Sequence, residues 1–197
     1  MVDVRRFFES RLRRYGDSPR TLDWSPEGQQ KRFEVLCAVG DLRGRRVLDV
    51  GCGLGHLLAF LRERGTEVDY TGVDLSPKLV MKARKLHPAA RFEVLDAVTA
   101  KLPIGADFVF ASGVLNVETG DNETAMRRLL RALFAACREA VAVNMLSTWA
   151  DWRDRDRHYF DPVRTTRDAR RLTRHVVLRH DYMPHDFTLY LYRVPRR

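Results

Sequence analysis

The stretch that decides the fold is Arg46–Leu75, which reads RVLDVGCGLGHLLAFLRERGTEVDYTGVDL. Val47–Val50 has the apolar character of a buried strand, Gly51–Gly55 is a tight glycine loop, and Leu57–Arg64 has the periodicity of a helix that begins directly after the loop. Val68–Val73 is a second strand, rich in β-branched and aromatic residues. Two parallel strands joined by a helix form a βαβ unit, so this stretch predicts an α/β fold with a parallel sheet.

The glycine loop and its neighbours have the chemistry of a nucleoside-binding site. Three glycines at alternate positions remove the side chains that would keep a ligand away from the main chain. The start of the following helix offers unpaired N–H groups, which suit a carboxylate or a phosphate. Asp74, at the end of the second strand, can accept hydrogen bonds from two neighbouring hydroxyls, which is how a ribose 2′,3′-diol presents them.

The spacing of the glycines distinguishes two kinds of cofactor. A dinucleotide fingerprint reads G-x-G-x-x-G, which from Gly51 requires glycine or alanine at the position of His56. The segment VLDVGCGLGH, followed by GVDLS, instead resembles the cofactor motifs of class I S-adenosylmethionine-dependent methyltransferases. A glycine turn within some other doubly wound domain is the structural alternative.

The resemblance implies a set of cofactor contacts. In that family, an acid in the first strand and the glycine loop hold the methionine end, and an acid after the second strand holds the ribose. An acid after the third strand, with the next main-chain N–H, contacts the adenine, and the end of the fourth strand faces the methyl donor. The cofactor-binding residues implied here are Asp49, Gly51, Cys52, Gly53, Gly55, Asp74, Leu75, Asp96, Ala97 and Ser112. For Asp96, capping of a turn is the alternative.

The rest of the chain supplies the other elements of a doubly wound sheet. The pattern predicts helices at Val4–Tyr15, from the Ser25-Pro26 cap to about Val39, from the Ser76-Pro77 cap to near Pro88, at Asn122–Arg138 and around Thr166–Thr173. It predicts further strands at Arg91–Leu95, Asp107–Ala111, Ala140–Met145, His175–His180 and Phe187–Arg193. The resemblance implies a seven-stranded sheet in the order 3-2-1-4-5-7-6, with the last strand antiparallel.

The chain of 197 residues fits a single domain with a sizeable core. We expect an N-terminal helical cap segment, residues 1–45, and a Rossmann-like methyltransferase core, residues 46–197. The first helix either covers the cofactor cleft, as N-terminal elements of the family often do, or simply packs on the core. Trp24 is predicted to staple the second helix against the chain that precedes it, and a place in the cleft wall is the alternative.

The composition of the chain indicates which cellular compartment and which kinds of partner it favours. Three widely spaced cysteines, Cys37, Cys52 and Cys137, give neither a C-x-x-C pair nor an even disulfide framework, which favours a reducing cytoplasm. No stretch approaches the length of a membrane span, and no apolar run follows the N-terminus. The net charge of +9 favours acidic partners at long range. Because the arginines are scattered, a solvated surface is favoured over a dedicated nucleic-acid face.

The acceptor side is less constrained by motif. Ser147–His158, STWADWRDRDRH, is predicted to be an exposed connection that either lines an acceptor pocket or packs as a surface loop. The hairpin His180–Asp186 carries the densest set of titratable residues, but its side chains alternate between faces, so no metal site is predicted. The candidate catalytic groups are His158, Tyr159, His180 and His185, and the candidate acceptor-binding residues are Asn116, Asn144 and Trp149.

These observations lead to a predicted activity. The chain lacks the Asn/Asp-Pro-Pro-aromatic motif of nucleobase amino-methylating relatives after the fourth strand, and it lacks a cysteine there for attack on cytosine. We therefore expect an S-adenosylmethionine-dependent methyltransferase that acts on oxygen or nitrogen of a small molecule and releases S-adenosylhomocysteine. The alternative is an RNA or protein methyltransferase that uses the arginine-rich surface. A non-catalytic scaffold that keeps the cofactor fold is the third hypothesis, and the oligomeric state is left open.

Overall fold

The computed structural model describes residues 2–196. The strands are β1 Arg46–Val50, β2 Asp69–Asp74, β3 Arg91–Val94, β4 Ala106–Ser112, β5 Cys137–Leu146, β6 Val176–Arg179 and β7 Asp186–Tyr192. The helices are α1 Val4–Tyr15, α2 Pro26–Cys37, α3 His56–Glu63, α4 Pro77–Leu86, α5 Asn122–Ala136 and α6 Pro162–Ala169. None of the helices within residues 2–196 combines the length and the apolar character that crossing a bilayer requires.

All seven strands form one sheet in the order β3-β2-β1-β4-β5-β7-β6. The strands β1 to β5 pair in parallel, whereas β7 is antiparallel to both of its neighbours. This is the predicted order, and β7 is the predicted antiparallel strand. Met1 and Arg197, the outer limits of the predicted cap and core segments, lie outside the described residues.

Helices cover both faces of the sheet because the inner strands are apolar on both sides. In β4, Phe108 and Phe110 belong to one buried cluster with side chains of α2 and α3, whereas Val109 and Ala111 belong to the other, with side chains of α5. Successive side chains of a strand point to opposite faces, so each inner strand contributes to both cores. The result is a doubly wound α/β domain.

The register of the strands brings several polar residues to one edge of the sheet. Val50 pairs with Val73 on one side and with Ala111 on the other, and Ser112 pairs with Asn144. The carboxyl ends of β1, β2 and β4 are therefore level, and Asn144 of β5 lies beside the end of β4. Ligands of open α/β sheets bind at this carboxyl edge, next to the point where the strand order reverses.

Several boundaries differ from those that the sequence predicts, most of them by one or two residues. The prediction of a helix around Thr166–Thr173 is wrong by four residues, because Pro162 begins the first turn of α6 and the Asp161 carboxylate caps it by accepting a 2.9 Å hydrogen bond from the Arg164 N–H. α2 ends at Cys37 instead of Val39. Cys137, predicted to be helical, has an extended backbone and starts β5 opposite Ala106.

Candidate active site

A cavity of about 300 Å³ opens at the carboxyl ends of β1, β2 and β4. This size is at the lower end of the range for small-molecule sites. Its wall contains eight of the ten implied cofactor residues, Asp49, Gly51, Cys52, Asp74, Leu75, Asp96, Ala97 and Ser112. Gly53 and Gly55 are not in the wall. A Cβ on Gly53 would lie 2.5 Å from Leu22 Cδ2, and a Cβ on Gly55 would lie 2.7 Å from His87 Cδ2.

The glycine loop has a backbone that favours glycine. Gly51, Gly53 and Gly55 have φ angles of +74°, +56° and +78°, which residues with a side chain rarely adopt. Directly after Gly55, α3 begins without a side-chain cap. Its first N–H groups therefore remain available to a ligand.

Asp74 links the glycine loop to the start of α4. Its Oδ2 accepts a 2.9 Å hydrogen bond from the Gly53 N–H, and its Oδ1 accepts a 2.8 Å bond from the Ser76 N–H. Burial raises the pKa of this carboxyl, and the two N–H groups oppose that rise by stabilising the charged form. Each oxygen retains a second lone pair, so Asp74 has capacity for a ribose diol while it holds the loop.

Asp49 is buried at the end of β1 and is 5% exposed. The Tyr70 hydroxyl donates a 2.6 Å hydrogen bond to its Oδ2. Burial raises the pKa of Asp49 to about 7, although the bond from Tyr70 works in the other direction. A cation bound beside this carboxyl would stabilise its ionised form. The ammonium group of an amino-acid ligand fits that requirement.

The pKa of Asp49 leads to a prediction about cofactor affinity. Below pH 7 the carboxyl of the free protein is protonated, and it must lose its proton before it can pair with an ammonium group. S-adenosylhomocysteine affinity should therefore rise roughly tenfold between about pH 6 and about pH 7.5 and then level off. Calorimetry across this range tests the prediction. Asp49→Asn should bind more weakly with a flat profile, and an equally steep profile in that variant would assign the proton to another group.

Asp96 hydrogen-bonds within its own turn and also lines the cavity. Its Oδ1 accepts a 3.0 Å bond from the Val98 N–H, and its Oδ2 accepts a 2.9 Å bond from the Thr99 hydroxyl. The capping alternative thus describes real contacts of this side chain. These contacts do not use all of the acceptor capacity of the carboxylate, so an additional contact with an adenine amino group is compatible with them.

The candidate catalytic residues lie outside the cavity wall, as do the candidate acceptor-binding residues Asn116, Asn144 and Trp149. His158 Nδ1 is 2.9 Å from Glu118 Oε2, and the Tyr159 hydroxyl accepts a bond from a main-chain N–H of its own loop. His180 Nε2 is 2.6 Å from Ser147 Oγ, and the His180 ring is 4.9 Å from that of Trp149.

Two buried asparagines near the carboxyl ends of β4 and β5, Asn144 and Asn116, differ in whether their side chains have hydrogen-bond partners. Asn144 donates a 3.0 Å hydrogen bond to the Tyr182 hydroxyl, and its Oδ1 lies 3.5 Å from Ser112 Oγ. Asn116 is 6% exposed, and both polar atoms of its side chain lack a hydrogen-bond partner within residues 2–196. The main-chain carbonyl of Asn116 accepts a 2.9 Å bond from the His158 N–H, which joins the two predicted residues.

The N-terminal segment contributes wall residues that the sequence analysis did not identify individually. They are Val4, Arg5, Phe8, Leu22, Gln29 and Phe33. Trp24 also lines the cavity, which bears out the cleft-wall alternative. The Glu9 carboxylate attaches α1 to the start of α4, because it accepts a 3.1 Å hydrogen bond from the Ser76 hydroxyl and lies 2.8 Å from Lys78 Nζ.

Asp23 connects α1 to the loop that follows β5. Arg11 Nη2 lies 2.9 Å from its Oδ1, and Arg157 Nε donates a 2.8 Å hydrogen bond to its Oδ2. Asp23 has a φ of +66°, which asparagine tolerates well. An asparagine at this position therefore tests the charge of the side chain with little change in backbone strain.

Asp23→Asn should loosen the attachment of α1. Loss of two partly exposed ion pairs is worth about 1 kcal/mol, so amide hydrogen exchange in α1 should become about fivefold faster. Hydrogen exchange followed by mass spectrometry measures this directly. Asp41→Asn, which breaks an exposed pair with Arg43, is the control and should leave α1 unchanged. Equal exchange in Asp23→Asn and the native chain would mean that other contacts hold α1.

Comparison with known proteins agrees with this site. Residues 47–135 match the profile of a family described as a methyltransferase domain. A Mycobacterium tuberculosis protein named provisionally as a methyltransferase is 36% identical over 149 residues, which are 72% of this chain and 89% of that protein. A trans-aconitate 2-methyltransferase of Delftia acidovorans is 31% identical over 123 residues. That match covers 57% of this chain but only 46% of the relative, so the chain spans about half of its length.

A solved structure gives the same result for the fold. The magnesium protoporphyrin IX methyltransferase of Synechocystis, crystallised with bound S-adenosylhomocysteine, has a TM-score of 0.73 to this chain over 97% of its length and 98% of the other chain. The two are 19% identical, so the likeness concerns the fold alone. Together with the long match to the mycobacterial relative and the acids and glycine loop at the carboxyl edge, the comparisons show that this chain belongs to the class I S-adenosylmethionine-dependent methyltransferases.

Proposed function

We propose that the chain transfers a methyl group from S-adenosylmethionine to an oxygen or nitrogen of a small molecule. The observation that carries this proposal is the shape of the cavity, which has one wall of acids and glycines and another of apolar N-terminal residues, notably Phe8, Trp24 and Phe33. A cavity of about 300 Å³ suits a cofactor with a small acceptor better than it suits a polymer. The small organic acid in the name of the Delftia relative supports the same class.

Each part of the wall would have a separate task. Asp49 would pair with the ammonium group of the cofactor, Asp74 would accept from the ribose hydroxyls, and Asp96 with Ala97 would bind the adenine. S-adenosylmethionine supplies a methyl group on a sulfonium that is already an activated electrophile. The remaining work of the protein is to align an acceptor lone pair behind that methyl group and to exclude water, and the apolar side chains of the N-terminal segment suit that work.

We also propose that residues 1–45 act as a cap over the cofactor. Val4, Phe8 and Leu22 in the cavity wall, with the Glu9 and Asp23 contacts, support this division from the core, 46–197. The cap would have to open for the cofactor to enter. The acid–base roles of His158, Tyr159, His180 and His185 stay predictions, as do the acceptor-binding roles of Asn116, Asn144 and Trp149.

The experiment that tests the function has two stages. Calorimetry with S-adenosylmethionine and S-adenosylhomocysteine, with NAD as the control, should show binding of the first two alone. S-adenosylhomocysteine release is then followed with panels of small acids, phenols and amines, and with total RNA and a protein extract. We expect turnover in a small-molecule panel. Turnover confined to RNA, with a steep dependence on salt, would instead support the arginine-rich surface as the acceptor site.

A further inference from the structure

The cavity holds few groups that could remove a proton from an acceptor. Among the described residues that line it, the titratable ones are Arg5, Asp49, Cys52, Asp74 and Asp96. The three acids are those assigned to the cofactor, and burial raises the pKa of the Cys52 thiol well above its usual value. No histidine, lysine or tyrosine is in the described part of the wall. An acceptor that already has a free lone pair at neutral pH needs no base, and an ionised carboxylate meets that condition.

Gln29 provides an unused hydrogen-bond donor in the wall. Its side chain is 7% exposed, and its Nε2 is buried without a hydrogen-bond partner within residues 2–196. An unpaired buried donor is costly, so the site is complete only with a group that accepts from it. On the same helical face, Arg32 lies three residues further on, with its guanidinium carbon 3.8 Å from the centre of the Trp24 ring.

The wall around Gln29 combines an aromatic face with donors. Trp24 and Gly113 both line the cavity, and a Cβ on Gly113 would lie 2.4 Å from Trp24 Cζ2 and 2.8 Å from Asn116 Nδ2. The ring and the unpartnered Asn116 amide therefore meet at the bare Cα of Gly113. Arg5, which belongs to no described ion pair, adds a positive charge to the wall. The free carboxylates are confined to the cofactor side, so a cationic acceptor would find no counter-charge.

We propose that the acceptor is a small carboxylate that packs on Trp24 and accepts a hydrogen bond from Gln29. The inference rests on the proposed function and names its substrate class. A carboxylate oxygen lone pair forms the new O–CH3 bond as the S–CH3 bond breaks, and the electron pair of that bond returns to sulfur. The products are a methyl ester and S-adenosylhomocysteine, and no proton is released. Gln29 is a specificity-determining residue in this scheme.

The test uses three probes of nearly equal shape: benzoate, benzamide and benzamidine. They carry negative, zero and positive charge on the same ring. The full-length protein is first saturated with S-adenosylhomocysteine, and its binding is recorded separately by calorimetry. Saturation-transfer NMR then measures the affinity of each probe. We expect benzoate to bind at least tenfold more tightly than benzamidine, with benzamide between them.

Two neighbouring glutamines give a matched pair of variants. Gln29→Met keeps the length of the side chain but removes the donor, and benzoate affinity should fall about tenfold while S-adenosylhomocysteine affinity is unchanged. Gln30→Met alters an exposed glutamine that bonds to Glu34 on the same helix, and it should change neither affinity. The retained S-adenosylhomocysteine affinity shows that each variant is folded.

The possible outcomes distinguish failure of the carboxylate proposal from failure of the proposed methyltransferase function. Failure of the native protein to bind S-adenosylhomocysteine would overturn the proposed function and the inference with it. If S-adenosylhomocysteine binds, three results overturn the carboxylate class alone: benzamidine binds as well as benzoate, no probe gives a saturation-transfer signal, or Gln29→Met binds benzoate like the native protein. The comparison of charges in the native protein does not depend on the behaviour of any variant.

Discussion

Asp74→Ala is expected to weaken S-adenosylhomocysteine binding about 100-fold, which corresponds to about 3 kcal/mol. Two effects combine in this variant. The ribose diol loses an ionised acceptor, and hydrogen bonds to charged groups are worth about 1.5–3 kcal/mol. The Gly53 and Ser76 N–H groups also lose their shared partner, so the glycine loop loses its connection to the start of α4. Calorimetry on the purified protein measures the loss.

Two further variants test whether the weaker binding in Asp74→Ala comes from loss of the carboxylate at this position. Asp69→Ala removes an exposed carboxylate from the other end of β2, where it pairs with Arg91, and should leave S-adenosylhomocysteine affinity unchanged. Asp74→Asn keeps one carbonyl acceptor and should fall between alanine and the native residue. Native affinity in Asp74→Ala would show that the ribose lies elsewhere, and the assignment of the second strand end would then be abandoned.

Asp186→Ala is expected to lower the free energy of unfolding by about 3–5 kcal/mol. Arg32 Nε lies 2.5 Å from Asp186 Oδ2, and the two side chains are 4% and 0% exposed. Without Asp186, the guanidinium of Arg32 stays buried with no opposite charge, which is the costly way to break such a pair. The loss also disconnects α2 from the start of β7. Urea denaturation followed by circular dichroism gives the free energy.

The matched control lies in the same hairpin. Asp181 forms an exposed pair with Arg179 at 2.8 Å, and Asp181→Ala should leave the unfolding free energy unchanged within error. The double variant Arg32→Met with Asp186→Leu should recover much of the lost stability, because it removes both charges and fills their space. If Asp186→Ala has the same free energy of unfolding as the native protein, the two groups are solvated or neutral, and their ion pair does not stabilise the fold.

Local patterns were sufficient to predict most of the fold. Strand, glycine loop and helix follow one another between Arg46 and Glu63, and each has its own signal in periodicity or in a required backbone angle. The Ser25 and Ser76 caps could also be predicted from the sequence. A capping side chain accepts a hydrogen bond from an N–H only three residues later, so the signal is local. The start of α6 lies four residues before the predicted one, although Asp161 with Pro162 carries the same capping signal.

The acceptor side depends on contacts that no local pattern reveals. Asp186 was grouped with the titratable residues of the hairpin, yet it is the first residue of β7, fully buried, and its partner is 154 positions earlier in the chain. Trp149 and Trp152 are 53% and 73% exposed, and Trp149 lies outside the cavity wall. Trp24, for which the sequence allowed two positions, lines the wall. Gln29 had no signal, because a lone glutamine on a helix is ordinarily a surface residue.

The resemblance to the methyltransferase family implied the order of the strands, and the sequence by itself determined the α/β class and the half of the site that faces the cofactor. It did so because a glycine loop between a strand and a helix, with acids at successive strand ends, places those groups at one sheet edge whatever surrounds them. Only the tertiary structure decided that α1, α2 and Trp24 complete the cavity and that Gln29 lines it. Those positions depend on ion pairs such as Arg32 with Asp186 and Arg157 with Asp23, which join distant segments once the sheet has formed.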